Sequence, residues 1–173
     1  MFADDFEKAK EITISLMPYI RDKLKADRII SFEDCRDSVI CGLFDRFAGI
    51  DAVSIDQRGM RGIALRVQYN VNWGTFTVRL KRANHYQTEF EKRVEAIQKG
   101  YLYPYLTMQV YYDDNAKNIM SGAICRTEDL YEYLLDNQQK IGIRKCPEGN
   151  TFYYVPFELI ADKYEFIKLG NDE

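Results

Sequence analysis

One histidine, four scattered cysteines and no long apolar run leave few chemistries open to this chain of 173 residues. His85 stands alone, which excludes His-rich zinc sites and paired-histidine metal centres and argues against a catalytic triad. Its position just before a helix cap reads as a solvated loop. Cys35, Cys41, Cys125 and Cys146 form no C-x-x-C pair and read as reduced, mostly buried thiols of a reducing compartment. No stretch approaches the roughly 20 apolar residues needed to span a membrane. The opening MFADDFEKAKEI is acidic and lacks the basic and apolar regions of a signal peptide. The expectation is a cytoplasmic, disulfide-free protein with no membrane partner.

What remains is ordinary soluble composition, 46% hydrophobic and 29% charged, in a length that suits one domain with its own core. The rings are plentiful: 13 Tyr and 10 Phe can build much of a core and one surface besides. Net charge is −3, so the chain as a whole does not announce a polyanion partner. Its distribution does. From Arg58 to Arg93 eight basic residues face two acidic ones, a surplus of six positive charges, which leaves −9 on the remainder. A basic field on an acidic protein suits docking of a polyanion by one face, although a solvated strand edge with a salt-bridged helix would look the same.

No repeat, low-complexity run or linker divides the chain. Apolar residues from Asp4 to Ala26 recur at helical spacing, with Pro18 predicted to kink or split the helix. Ser31 and Asp34 resemble a capping box for a second helix carrying Phe32, Cys35, Val39 and Leu43. The period then shortens to two. Strands are predicted over 51–55, 63–69 and 75–81, as a consecutive antiparallel meander with an 88–99 helix packed on their sheet. Thr88 and Glu91 form that helix's capping box, and Gly100 closes it. Leu106–Tyr112 and Ser121–Arg126 read as strands, Thr127 opens a short helix, and a strand pair over 141–145 and 151–155 precedes a helical turn. The architecture expected is α/β, a mixed central sheet with helices on both faces.

On strand 63–69, Ala64, Arg66, Gln68 and Asn70 project to one side, and Ile63, Leu65, Val67 and Tyr69 to the other. A polar face on a strand of this kind is costly unless it lines a cleft. The alternative is the surface face of an edge strand. Weaker patterns stand beside it. Gly59-x-x-Gly62 lacks the strand-then-helix setting of a phosphate loop. Tyr101, Tyr103, Tyr105, Tyr111 and Tyr112 read first as packing and second as base stacking.

Gly49-Ile50-Asp51-Ala52-Val53, a turn, and Gly62-Ile63-Ala64-Leu65-Arg66-Val67-Gln68 resemble the core of the PD-(D/E)XK (restriction-endonuclease-like) nuclease superfamily. In that core a helix precedes a hairpin whose first strand opens with a metal-binding Asp and whose second carries acid-x-Lys. Asp51 matches the Asp, while Arg66-Val67-Gln68 stands where acid-x-Lys belongs, so the motif is degraded. The resemblance spans roughly residues 30–135, between N-terminal helices (4–47) and the C-terminal strand pair and helical turn (141–169), within one domain (1–173). It implies phosphodiester chemistry in which two carboxylates hold Mg²⁺ and a lysine orients the attacking water. The residues implied are Asp51, Gln68 and Lys81 for catalysis, Asp51 and Asp45 for the metal with Glu33 or Asp37 in reserve, and Arg58, Arg61, Arg66, Arg79 and Arg82 for nucleic acid. Arg66 cannot ligate a cation, and Asp51 is expected to pair with it instead. The function expected is a divergent domain that binds or acts on nucleic acid. The alternative is a non-enzymatic protein-interaction module, or a homodimer, that keeps the fold without the metal.

Overall fold

Apolar side chains recur every three to four residues up to Leu24 and every second residue along 63–69, and the backbone follows both periods. The computed structural model describes residues 2–32, 39–44, 48–82, 86–147 and 149–167. Helix α1 (Phe2–Leu24) leads into β1 (Arg28–Ser31) and a short α2 (Val39–Leu43). Strands β2 (Ala52–Asp56), β3 (Gly59–Tyr69) and β4 (Thr75–Lys81) follow, then α3 (Glu89–Lys99), β5 (Leu106–Asp113) and β6 (Asn118–Arg126). The chain ends with α4 (Thr127–Asn137), β7 (Gly142–Lys145), β8 (Thr151–Pro156), a 3-10 segment (Phe157–Lys163) and β9 (Tyr164–Ile167).

Six strands form the central sheet in the order β1-β2-β3-β5-β6-β9, and three form a second sheet, β4-β8-β7. Within the central sheet β3 and β5 run parallel, Ile63 opposite Leu106 through Tyr69 opposite Tyr112, and the other pairs are antiparallel. A parallel neighbour requires a crossover, and α3 lies within it. The expected α/β fold with a mixed sheet is therefore present, and helices cover both faces. On one face Ile12, Leu16 and Ile20 of α1 pack on Ile63, Met108 and Val110. On the other, Leu130, Tyr131 and Leu134 of α4 join Tyr111, Ala123 and Cys125 with Phe76, Val78 and Val155 of the second sheet. Fully buried side chains such as Ile20, Ile63 and Leu130 contribute about 1.5–3 kcal/mol each by leaving water. Among the described residues no helix is long and apolar enough to cross a membrane.

The structure departs from the sequence reading at several elements. Strand β4 does not continue a meander, because β5 occupies the free edge of β3 and β4 pairs with β8 instead. The turn after β3, with Asn70 and Gly74 both at positive φ, carries the chain out of the central sheet. Pro18 lies inside one continuous α1 and neither splits it nor ends it. Ser31 is the last residue of β1, Asp34 of the expected capping box lies outside the described residues, and Val39–Leu43 of the expected second helix forms the five-residue α2. Strands β1 and β9 went unread, and both are four-residue strands at the two edges of the sheet. By contrast, the Thr88–Glu91 capping box forms in both directions, and Gly100 closes α3 in the left-handed conformation.

Candidate functional site

Since β5 flanks β3, the polar face of β3 is interior, and β4 and α3 stand over it with a cavity of about 310 Å³ between. Asp51, Ala64 and Arg66 line it from the central sheet, Thr77, Arg79 and Arg82 from β4 and its end, and Glu89, Lys92 and Arg93 from α3. Five basic side chains face two acidic ones there, a formal surplus of three positive charges.

Asp51 is placed by backbone and side chain together. Its amide donates to the Ile63 carbonyl at 2.9 Å, and its Oδ2 accepts from the Leu65 amide at 2.6 Å. The turn before it is held from α3. Arg93, only 7% exposed, donates from Nη1 to the Ala48 carbonyl and from Nη2 to the Gly49 carbonyl at 3.3 Å. Gly49 has φ +60°, and a Cβ there would lie 2.9 Å from Arg93 Nη2, so both backbone and guanidinium demand glycine. Gly62 leaves room for Ile50 in the same way, since a Cβ would meet Ile50 Cδ1 at 2.9 Å.

Arg66 reaches across to the other wall. Its Nη1 donates to the Thr77 carbonyl at 2.9 Å, and its Nη2 pairs with Glu89 Oε2 at 2.5 Å. The partner of Arg66 is therefore Glu89 at the start of α3, in place of the expected Asp51. The same Glu89 oxygen accepts from the Arg79 amide at 3.4 Å. The Phe152 ring lies 5.7 Å from the Arg66 guanidinium and 5.4 Å from that of Arg79, a shared cation–π floor. Burial, and then the charges of Arg66 and Arg82, lower the pKa of Arg79. Like charges are thus gathered here with one carboxylate among them. The Nε atoms of Arg79 and Arg82 are buried and have no hydrogen-bond partner among the described residues.

The structure brings Asp51, Arg66, Arg79 and Arg82 into one cleft, four of the residues singled out from sequence. Gln68 stands next to it, its Oε1 accepting from Gln109 Nε2 at 3.4 Å, while Gln109 lines the cavity and accepts from Thr77 Oγ1 at 3.0 Å. Lys81 is outside and exposed, because a register shift between Arg79 and Lys81 breaks the alternation that would have kept them on one face. Arg58 and Arg61 are also outside the cleft. Both bind Asp56 Oδ2, at 2.7 and 2.5 Å, across the β2–β3 hairpin. Asp45, Glu33, Asp37, His85 and Cys35 lie outside the described residues. Cys125 is a buried free thiol whose pKa burial pushes up, and Cys146 is free and partly buried.

Glu89 and Gln109 were missed. Gln109 had a signal, a lone amide in the apolar run Leu106–Tyr112, and it is 2% exposed. Glu89 had none, since its role depends on where α3 docks.

Among the described residues the cleft offers two carboxylates, Asp51 and Glu89, as candidate metal ligands. Among the described residues no three His, Cys, Asp or Glu gather as a metal site. Within the cleft Asp51 receives a backbone amide, Glu89 is taken by Arg66, and the surrounding charge is positive. The formal charge of the described lining is positive, which favours an anion over a cation there. No family model matches the chain, and no curated protein matches it. What fold and site define together is an α/β domain with an arginine-lined cleft over the polar face of its central parallel pair.

Proposed function

We propose that this chain is a nucleic-acid-binding domain whose cleft takes the phosphodiester backbone. The observation that carries the reading is the surplus of three positive charges in the cavity, lined by Arg66, Arg79, Arg82, Lys92 and Arg93 against Asp51 and Glu89. A phosphate in the cavity would answer the mutual repulsion of the guanidiniums and accept charge-assisted hydrogen bonds from them. The hairpin opened by Asp51, the crossover containing α3 and the parallel β5 support the resemblance to a PD-(D/E)XK-like core, while β4 departs from it by leaving the central sheet. In this reading the chain is a divergent member that retains backbone binding while Arg66 occupies the acid position. Cleavage is the less supported half, since Asp51 alone does not supply a two-carboxylate metal site.

Salt dependence tests the reading. Binding of labelled DNA or RNA, followed by fluorescence anisotropy, should be saturable at about 50 mM salt and fall linearly in log K against log salt, because each neutralised phosphate releases counterions. A chain that binds neither polymer at about 50 mM salt, a permissive condition, has no such site.

A further inference from the structure

The tyrosine-rich segment between α3 and β5 forms the rim of the same cleft. Leu102 lines the cavity while remaining 59% exposed, and Tyr101 and Tyr105 beside it are 57% and 42% exposed. Large rings left open to water, in a protein with enough core to bury them, point to a contact surface. Each ring also has a cation over it. Lys99 Nζ stands 5.7 Å from the Tyr101 centroid, and the Arg126 guanidinium 5.7 Å from that of Tyr105.

The rim is held in place. The Tyr101 amide donates to the Ala96 carbonyl at 2.9 Å, just past the Gly100 cap. The Tyr105 carbonyl accepts from the Thr127 amide at 3.0 Å. Between them Pro104 is buried, and the Tyr103 hydroxyl donates to Glu128, a hydrogen bond that, with burial, raises the Tyr103 pKa to about 12. Tyr103 therefore serves as an anchor, and Tyr101 and Tyr105 remain as two exposed rings on a tethered backbone, each beside a cation that is itself paired with a carboxylate, Lys99 with Glu95 and Arg126 with Glu128.

We infer that this rim is a base-stacking platform, so that the polyanion taken by the cleft is single-stranded nucleic acid, with its phosphates among the arginines and unpaired bases on Tyr101 and Tyr105. The inference rests on the reading of the cleft as a phosphate site. A duplex keeps its bases stacked on one another and offers a protruding ring no face, whereas a single strand offers one at every nucleotide. Aromatic rings beside a basic groove are the combination that binds single strands without reading their sequence.

Anisotropy titrations with four probes of about 12 units, within the usual site size, separate the possibilities: single-stranded DNA, single-stranded RNA, a duplex, and an abasic phosphodiester. The single strands should bind about a hundredfold more tightly than the abasic chain, about tenfold for each of the two rings. Tyr101→Ala and Tyr105→Ala should each weaken single-strand binding about tenfold and leave the abasic chain unaffected, with Tyr105→Phe close to wild type. Both side chains are exposed, so their removal takes little from the core. If the abasic chain binds and responds to Arg79→Gln while the alanine variants bind single strands like wild type, the stacking inference fails and the cleft reading stands. A duplex bound as tightly as the single strands would also sink the inference. If no probe binds, both readings fall.

Discussion

The basic stretch from Arg58 to Arg93 contributes arginines to two places, and the two differ in how their charge is answered. At the β2–β3 hairpin, Arg58 and Arg61 converge on one carboxylate, and Asp56 also accepts the Arg58 amide at 2.8 Å. The Arg58 side chain, followed by that amide, holds the Asp56 carboxyl down to about 2. The hairpin is a closed local circuit that staples a turn. In the cleft, Arg66 is the one guanidinium with an ion-pair partner among the described residues, while Arg79 and Arg82 sit partly buried with like charges for neighbours. Residues of one type thus differ by neighbourhood: Arg58 and Arg61 share the Asp56 carboxylate, while Arg79 and Arg82 line a cleft whose Glu89 is already paired with Arg66.

Three measurements break or sharpen this contrast. The largest effect belongs to the cleft. Arg79→Gln with Arg82→Gln should weaken oligonucleotide binding by roughly tenfold to a hundredfold and flatten the salt slope by about one per arginine. The same exchange at Arg58 and Arg61 should cost only a few-fold, and equal losses at both places would erase the distinction. A smaller signal is expected from metal. Calorimetric titration of Mg²⁺ or Mn²⁺ should show no heat assignable to Asp51, because a cation would enter a field of surplus positive charge. A binding heat that vanishes in Asp51→Ala, together with metal-dependent nicking, would restore a nuclease. The smallest effect is at the hairpin. The folded-state pKa of Asp56 lies below its ordinary 3.8, so its stabilising contribution is fully present above about pH 4 and is lost as pH falls through about 2. Carboxyl NMR should place its midpoint near 2, and Asp56→Asn should lessen the acid sensitivity of stability in that window. A midpoint near 3.8 would mean the staple is not formed.

Much of the fold was legible where a pattern ran long enough to be read. The Ile63, Leu65, Val67, Tyr69 alternation gave β3, and Thr88, Glu91 and Gly100 bounded α3. Strands β1 and β9 were not legible, since four residues carry too few repeats of a two-residue period, and edge position relaxes the need for burial. Strand β4 was legible as a strand but not in its partners. Thr75–Lys81 alternates the same way in either sheet, and the choice was made by the Asn70–Gly74 turn and by packing of Phe76 and Val78 with Val155. At the site, the polar side of β3 was sound evidence of a cleft, because Arg66 in a central strand has to be answered. Lys81 was lost to a single register shift, a feature no alternation can foretell.

Strand β4 belongs to one sheet by its backbone and to the other by its side chains. Its ladder is with β8, yet the Thr75 amide donates to the Tyr111 hydroxyl at 3.3 Å, that hydroxyl donates to the Thr75 carbonyl at 2.7 Å, and Thr77 Oγ1 donates to Gln109 at 3.0 Å. Among the described residues no backbone ladder ties the second sheet to the first, so it is docked through side chains and a shared core. Its separation would remove one wall of the cleft. Any anion bridging Arg66 and Arg79 spans that seam, and by mass action its occupancy adds to the free energy of keeping the two sheets together.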